Sequence, residues 1–172
     1  KVACITPVKH LGDLLDVFTS IENIDLKYIP YIGKNELRLL LKEEKIEYIF
    51  TNPNKQEFIL DETILKNSNV RLINTASTGL NHIDLTFCQN NNIDVISLTK
   101  DYSLIRKLPS TAELAFTLLC ALSKKIKNSV EAVYNFEWNY EKFIGRQLSG
   151  LTVGIVGYGR LGTFMSNYCK AF

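Results

Sequence analysis

No stretch of this 172-residue sequence approaches the ~18 consecutive apolar residues of a membrane span, so no transmembrane helix is expected. Charge of one sign is also scarce. Twenty Lys and Arg against 18 Asp and Glu leave a formal +2, too little to suggest a polyanion partner, and nucleic acid is not expected to bind. The densest basic cluster, Lys124, Lys125 and Lys127, ends an apolar helical run and reads as dipole compensation and a solvated face. The four cysteines, Cys4, Cys88, Cys120 and Cys169, are far apart and include no CxxC pair. That pattern argues against a disulfide scaffold or a zinc site, and no metal is expected. Cys4 and Cys120 lie in apolar runs and read as buried free thiols of a reducing compartment. The chain opens on a strand-like run without a signal peptide, which makes the cytoplasm the expected location. Internal repeats and low-complexity segments are absent.

What is present is a globular balance, 46% hydrophobic and 22% charged, on a chain long enough to bury a core without staples. The first hundred residues alternate strand and helix signals. Val2–Thr6, Ile24–Tyr31, Ile46–Phe50, Val70–Thr75 and Ile93–Leu98 read as strands. Between them, Leu11, Leu14, Leu15 and Phe18 share one helical face. Asn35 is placed to cap a helix carrying Leu37, Leu40 and Leu41, a weak helix covers Asp61–Lys66, and a short one runs from His82 to Gln89. Strands separated by crossover helices predict an α/β fold with a parallel, flavodoxin-like sheet.

The character changes near residue 100. A charged connector, Lys100–Leu108, leads into a long helix from Pro109 to Asn128, with Leu114, Leu118, Leu122 and Ile126 on one face. Ser110-Thr111-Ala112-Glu113 matches a capping box, which accounts for Glu113 without an acid-catalyst role. An aromatic-rich stretch, Tyr134–Phe143, follows; its Trp138 and Tyr140 read as packing or interface residues.

The last element reads as a buried strand, Leu151–Val156, running into Gly157-Tyr158-Gly159-Arg160-Leu161-Gly162 and a helix. A GxGxxG motif is weak alone, but strand before and helix after are the context a dinucleotide loop requires. Gly157 permits the tight turn, Gly159 lets a pyrophosphate approach the backbone, and Gly162 lets the helix pack on the strand. The helix N-terminus offers unpaired N–H groups to phosphate. The acidic residue that would hold the ribose is expected ~20 residues further on, beyond Phe172, so NAD is expected with NADP left open.

Together these stretches resemble the D-isomer-specific 2-hydroxyacid dehydrogenase family. Leu72–Leu85, LINTASTGLNHIDL, is similar to its substrate loop; Ser110–Lys124, STAELAFTLLCALSK, to its linking helix; and Leu148–Gly162, LSGLTVGIVGYGRLG, to its cofactor loop. Asn135–Trp138 resembles the bulky segment before that loop. The resemblance implies a substrate domain over residues 1–100 and, over 101–172, the linking helix and the start of a Rossmann cofactor domain. It also implies that the chain continues past Phe172 and that the intact protein is a homodimer. Substrate carboxylate would meet backbone N–H groups of the Thr78-Gly79-Leu80 turn. Thr78 would also touch the cofactor, and the amides of Arg160 and Leu161 would face its pyrophosphate. His82 falls where the family has an Asn or His supporting the loop, and His10 has no partner motif, so neither is assigned a catalytic role.

Hydride transfer to a 2-oxo acid needs a held carboxylate, a polarised ketone and a proton donor. In the family an arginine fixes the substrate and a histidine backed by a glutamate supplies the proton, and all three lie downstream of the cofactor loop. The 172 residues are therefore expected to hold no catalytic side chain. Two departures bear on substrate. Phosphoglycerate-type members carry an Arg-Ser turn after the third strand, where Phe50-Thr51-Asn52-Pro53-Asn54-Lys55 places Thr51 at the arginine's position. The connector is longer than usual, lacks Pro-Gly, and is expected to reshape the distal substrate pocket through Arg106 and Lys107. The alternatives are a non-catalytic, corepressor-like nucleotide-binding relative, or an inactive fragment.

Overall fold

The computed structural model describes residues 1–53 and 57–172. The chain divides into two compact units, Lys1–Tyr102 and Ser103–Phe172.

In the first unit the apolar runs become short strands: β1 (Val2–Cys4), β2 (Leu26–Tyr28), β3 (Tyr48–Thr51), β4 (Leu72–Thr75) and β5 (Asp94–Ser97). All pairings are parallel and the order is β2-β1-β3-β4-β5, so the flavodoxin-like expectation holds. The register runs Leu26–Val2–Tyr48–Leu72–Asp94 across the sheet. Parallel neighbours need crossovers, which α1 (Leu14–Ser20), α2 (Lys34–Glu43), α3 (Glu62–Leu65) and α4 (Leu85–Asn90) provide. Leu37 and Leu41, one turn apart on α2, are fully buried with Ile49, Leu60, Ile64 and Ile73. Each such side chain contributes roughly 1.5–3 kcal/mol by leaving water.

The helix starts differ from the sequence reading. Gly12 takes φ +65° and parts Leu11 from α1, which begins at Leu14 and buries none of its residues; Phe18 meets Phe50 edge-on at 5.6 Å. Asn35 lies inside α2 and does not cap it. Gly33 takes the cap position in extended backbone, and its N–H donates to Glu36 Oε2 at 3.3 Å. Helix α4 starts at Leu85, after His82, because Asp84 caps it by accepting from the Phe87 N–H at 2.9 Å.

Cys4 and Cys88 are buried, whereas Cys120 is half-buried, contrary to expectation; all four thiols are free. Burial, helped by the nearby Asp84 charge, pushes the Cys88 thiol up to about 11. Folded-state protection should therefore be complete at pH 8: a thiol reagent leaves Cys88 unmodified in native protein and labels it after denaturation, read by peptide mass mapping. Native labelling at the rate of a free thiol would contradict this burial. Because the folded value is raised, this group's stabilisation is full below the unfolded ~8.5 and lost as pH rises through about 11.

In the second unit the connector itself holds a short helix, α5 (Tyr102–Ile105), which begins at the unit boundary. The expected long helix is two helices, α6 (Ser110–Ser123) and α7 (Ile126–Tyr134), parted where Lys125 turns left-handed at φ +54°. The cause is a distant partner. Arg146 N–H donates to the Ser123 carbonyl at 2.8 Å, and Lys125 Nζ donates to the Lys142 carbonyl at 3.3 Å. Gly145 is pressed so close that a Cβ there would lie 2.5 Å from the Ser123 oxygen. The basic cluster thus marks a corner between helices, with Lys127 beside Glu131 on α7 at 3.8 Å.

No capping box forms at Ser110–Glu113. Pro109, in helical backbone, stands before the helix, so Ser110 is its first residue and cannot cap it. Against α6 packs α8 (Arg160–Ala171), through Phe116 with Tyr168 at 5.7 Å and Phe172 at 5.1 Å between ring centroids.

Leu151–Val156 is not a strand and is not buried; Val156 is fully exposed. Its backbone is extended at Leu151, and its side chains alternate half-buried and exposed, as the apolar pattern requires. Strand identity depends on partners, however, and among the described residues no strand pairs with this segment.

Candidate functional site

The glycine loop folds as its sequence demands. Gly157 sits at φ +95°, a conformation that costs other residues. Gly159 ends the turn in extended backbone, and α8 begins at Arg160. A Cβ on Gly162 would strike the Gly157 carbonyl oxygen, so only glycine closes the loop onto its helix. A Cβ on Gly159 would meet nothing within 4 Å, so that position faces open space. The first-turn amides of Arg160, Leu161 and Gly162 have no acceptor within the helix by construction, and the helix resumes pairing at Thr163, whose N–H donates to the Gly159 carbonyl at 2.9 Å. A turn open at Gly159 beside three amides at the positive end of a twelve-residue helix fits a pyrophosphate. The Arg160 side chain is engaged elsewhere: its Nη1 donates to the Leu108 carbonyl at 2.6 Å, which leaves its backbone amide at the helix end.

The second candidate element, Ser77–Leu80, leaves the carboxyl end of β4 in the first unit. Thr78 and Gly79 are exposed and Leu80 half-buried, its side chain packed on the core. A row of hydrogen bonds fixes this turn. Ser77 Oγ donates to the Gly79 carbonyl at 2.7 Å, Thr75 Oγ1 lies 2.9 Å from Ser77 Oγ, and His82 Nε2 lies 2.9 Å from Thr75 Oγ1. Counting protons gives the direction. The one Ser77 hydroxyl proton is used on a carbonyl, so Ser77 accepts from Thr75, and Thr75 in turn accepts from His82 Nε2–H. His82 is buried, which holds its imidazole below the ordinary range and keeps it neutral, with the proton on Nε2. Its carbonyl also accepts from Leu60 N–H at 2.9 Å, and Asp84 N–H donates to the Leu60 carbonyl at 3.0 Å, anchoring the far side of the turn.

Five of the expected cofactor residues, Gly157, Gly159, Arg160, Leu161 and Gly162, thus share one turn, and Thr78 with Gly79 and Leu80 shares another in the other unit. Thr75 and Ser77, which carry the relay, were not singled out by sequence; their only signal was a hydroxyl at alternate positions ahead of a histidine. Thr51 is fully buried at the end of β3, and Asn52 beside it donates to the Ala76 carbonyl at 3.3 Å. Asn54 and Lys55 lie outside the described residues. Arg106 and Lys107 are exposed in the second unit. Trp138 is 90% exposed and Tyr140 76%, so neither packs within the chain.

Residues 116–172 match the family described as D-isomer specific 2-hydroxyacid dehydrogenase, NAD binding domain. The chain is 29% identical over 159 residues to D-3-phosphoglycerate dehydrogenase of Archaeoglobus fulgidus, covering 87% of this chain and 29% of that protein. Among solved structures it resembles D-lactate dehydrogenase from Aquifex aeolicus, complexed with NAD and lactic acid, at TM-score 0.74 and 26% identity, covering 99% of this chain and 48% of that one. A glyoxylate reductase from Paecilomyes thermophila shares the fold at TM-score 0.78 and 20% identity, covering 99% and 52%. The chain therefore spans about half of these structures and less than a third of that relative.

Proposed function

We propose that the whole protein is an NAD-dependent oxidoreductase of the D-isomer-specific 2-hydroxyacid dehydrogenase family, moving a hydride between the nicotinamide and a small D-2-hydroxy or 2-oxo acid; the match of residues 116–172 to that family's NAD binding domain supports this reading. The observation that carries this reading is the loop in which Gly162 closes the turn while Gly159 faces open space beside three helix-end amides. In this assignment residues 1–100 form the substrate domain and 101–172 the linking helices and the first part of the cofactor domain. The amides of Arg160, Leu161 and Gly162 hold the pyrophosphate, and those at Thr78-Gly79-Leu80 hold the substrate carboxylate, with Thr78 also touching the cofactor. When bound, the nicotinamide supplies or takes up the hydride. Ketone polarisation and proton transfer fall to residues outside these 172, since His82 is committed to its own turn. No helix among the described residues is long and apolar enough to cross a membrane, and the cytoplasm suits the free thiols.

The test is oxidation of NADH by the intact protein with glyoxylate, pyruvate or hydroxypyruvate. Turnover is expected in the ordinary enzymatic range of roughly 1–1,000 per second. Tight cofactor binding without turnover would leave a nucleotide-binding protein, and loss of both would end the assignment.

The same reading includes a homodimer. Leu114, Leu118 and Leu122 line one face of α6 at 60, 54 and 79% exposure, and Val130, Val133 and Trp138 of the same unit are exposed as well. A patch of this extent on one unit calls for a covering partner, and two-fold pairing is the commonest solution. Light scattering should give twice the protomer mass, and Leu118→Glu should return a folded monomer. A wild-type monomer at micromolar concentration would exclude the dimer.

A further inference from the structure

We infer that the groove between α2 and α3 in the first unit is a binding site for a small phosphorylated anion. Its origin is a row of like charges. Lys34, Arg38 and Lys42 follow one another at four-residue intervals along α2, which sets them on one face of the helix. That face meets α3, because Lys34 Nζ pairs at 3.2 Å with Asp61, the residue that caps α3. One and two turns further on, Arg38 and Lys42 border a space of about 550 Å³ shared with Glu62, Lys66 and Asn67. Such a space is in the range of small-molecule sites.

The charges in this groove do not balance. Among the described residues neither Arg38 nor Lys42 forms an ion pair, although Lys34 and Lys66 both do. Asn54, Lys55 and Gln56, the three outside the described residues, carry no carboxylate. Glu62 is the one acidic side chain among the described lining residues, and its Oε1 is taken by Lys66 Nζ at 2.8 Å. Three cations against that one anion leave +2, which equals the formal excess of all 172 residues. Like charges at this helical spacing repel each other and cost stability. An incoming dianion reverses that cost, and does for Arg38 and Lys42 what Asp61 does for Lys34.

The lining decides the class. An arginine offers a planar fork of donors that matches phosphate oxygens, and two lysines add point charges beside it. A phosphate monoester carries about −1.5 to −2 near neutral pH, which matches the excess in the groove. Asn67, at φ +60° just past α3, adds an uncharged amide to the lining. Leu39 lines the same groove at 51% exposure, apolar surface that the carbon part of such a molecule would cover. Three cations are too few for the phosphate track of a nucleic acid, so the ligand is small.

The test titrates inorganic phosphate into the intact protein, by calorimetry and by thermal melting, against sodium chloride at matched ionic strength. Saturable binding is expected, with a rise in melting temperature that chloride does not reproduce. Arg38→Gln combined with Lys42→Gln should weaken that binding at least about tenfold, as two charged donors are lost. Without phosphate this double variant should melt no lower than wild type, since it removes a like-charge pair from exposed positions. Glu62→Gln should tighten binding, because Lys66 is then released to the anion. The glycine loop also offers amides to phosphate, so Gly159→Val is the control and should leave groove binding intact. Absence of binding, binding matched by chloride, or binding that survives the double variant overturns the inference. Loss of binding in Gly159→Val assigns the phosphate to the glycine loop and overturns it equally.

Discussion

Replacing Gly159 by valine in the intact protein should cut NADH affinity by at least about 100-fold, or roughly 2.7 kcal/mol, with the melting temperature unchanged to within about 2 °C. Replacing Gly162 by valine should do the reverse in order: it should destabilise the fold first and lose the cofactor as a consequence. The two glycines are three residues apart in one motif, and the structure separates their roles. At Gly159 an added Cβ meets nothing within 4 Å, and the backbone there is extended, so the chain tolerates the side chain and only an incoming phosphate is obstructed. At Gly162 the added atom strikes the Gly157 carbonyl, a backbone atom that cannot rotate aside, beside the left-handed turn at Gly157. Overpacking against a fixed group costs about 1–3 kcal/mol, well beyond the helix propensity gained by losing a glycine. Chemical denaturation and cofactor titration on both variants decide the matter. Unchanged NADH affinity in Gly159→Val would remove this loop from cofactor binding.

The tight turn at Gly157 and the close packing at Gly162 were legible in the sequence because they depend on spacing and on the missing Cβ, both local properties. The first unit was legible for a related reason. Each apolar run there finds its sheet neighbour within the same hundred residues, so pattern and pairing agree. Leu151–Val156 has an equally good strand pattern and does not form one, because pairing is supplied by other segments and none of the described residues provides it. The long helix failed differently. Its 3.6-residue periodicity runs unbroken through Lys124 and Lys125, yet Ser123 gives its carbonyl to Arg146, far along the chain. Periodicity carries no information about that competitor. The relay behind the Ser77–Leu80 turn was half visible: His82 was assigned a supporting role, but its route through Thr75 and Ser77 required coordinates.

That route yields the second large effect. His82→Ala should raise KM for the 2-oxo acid about 10- to 100-fold while leaving NADH affinity in place. Removing the imidazole leaves the buried Thr75 hydroxyl without its donor, a loss of about 1–3 kcal/mol, and frees Ser77 to release the Gly79 carbonyl. The Gly79–Leu80 peptide can then rotate, and the amide proposed to meet the carboxylate loses its aim. His82→Gln keeps an N–H donor near the Nε2 position and should recover part of the loss, which a mere cavity defect would not. Ser77→Ala should reproduce the KM effect with the imidazole intact. The pH dependence follows from the same burial. The folded imidazole is held below the unfolded value of ~6.5, so its contribution is present above that value and is lost as pH falls through the folded one. The acid limb arises from charging a buried ring, not from losing a donor, because Nε2 keeps its proton in both states. His82→Gln should therefore flatten the acid rise in KM while keeping part of the binding at neutral pH. An acid limb identical in wild type and His82→Gln would show that the titrating group lies elsewhere, and a KM untouched by His82→Ala would detach the relay from substrate binding.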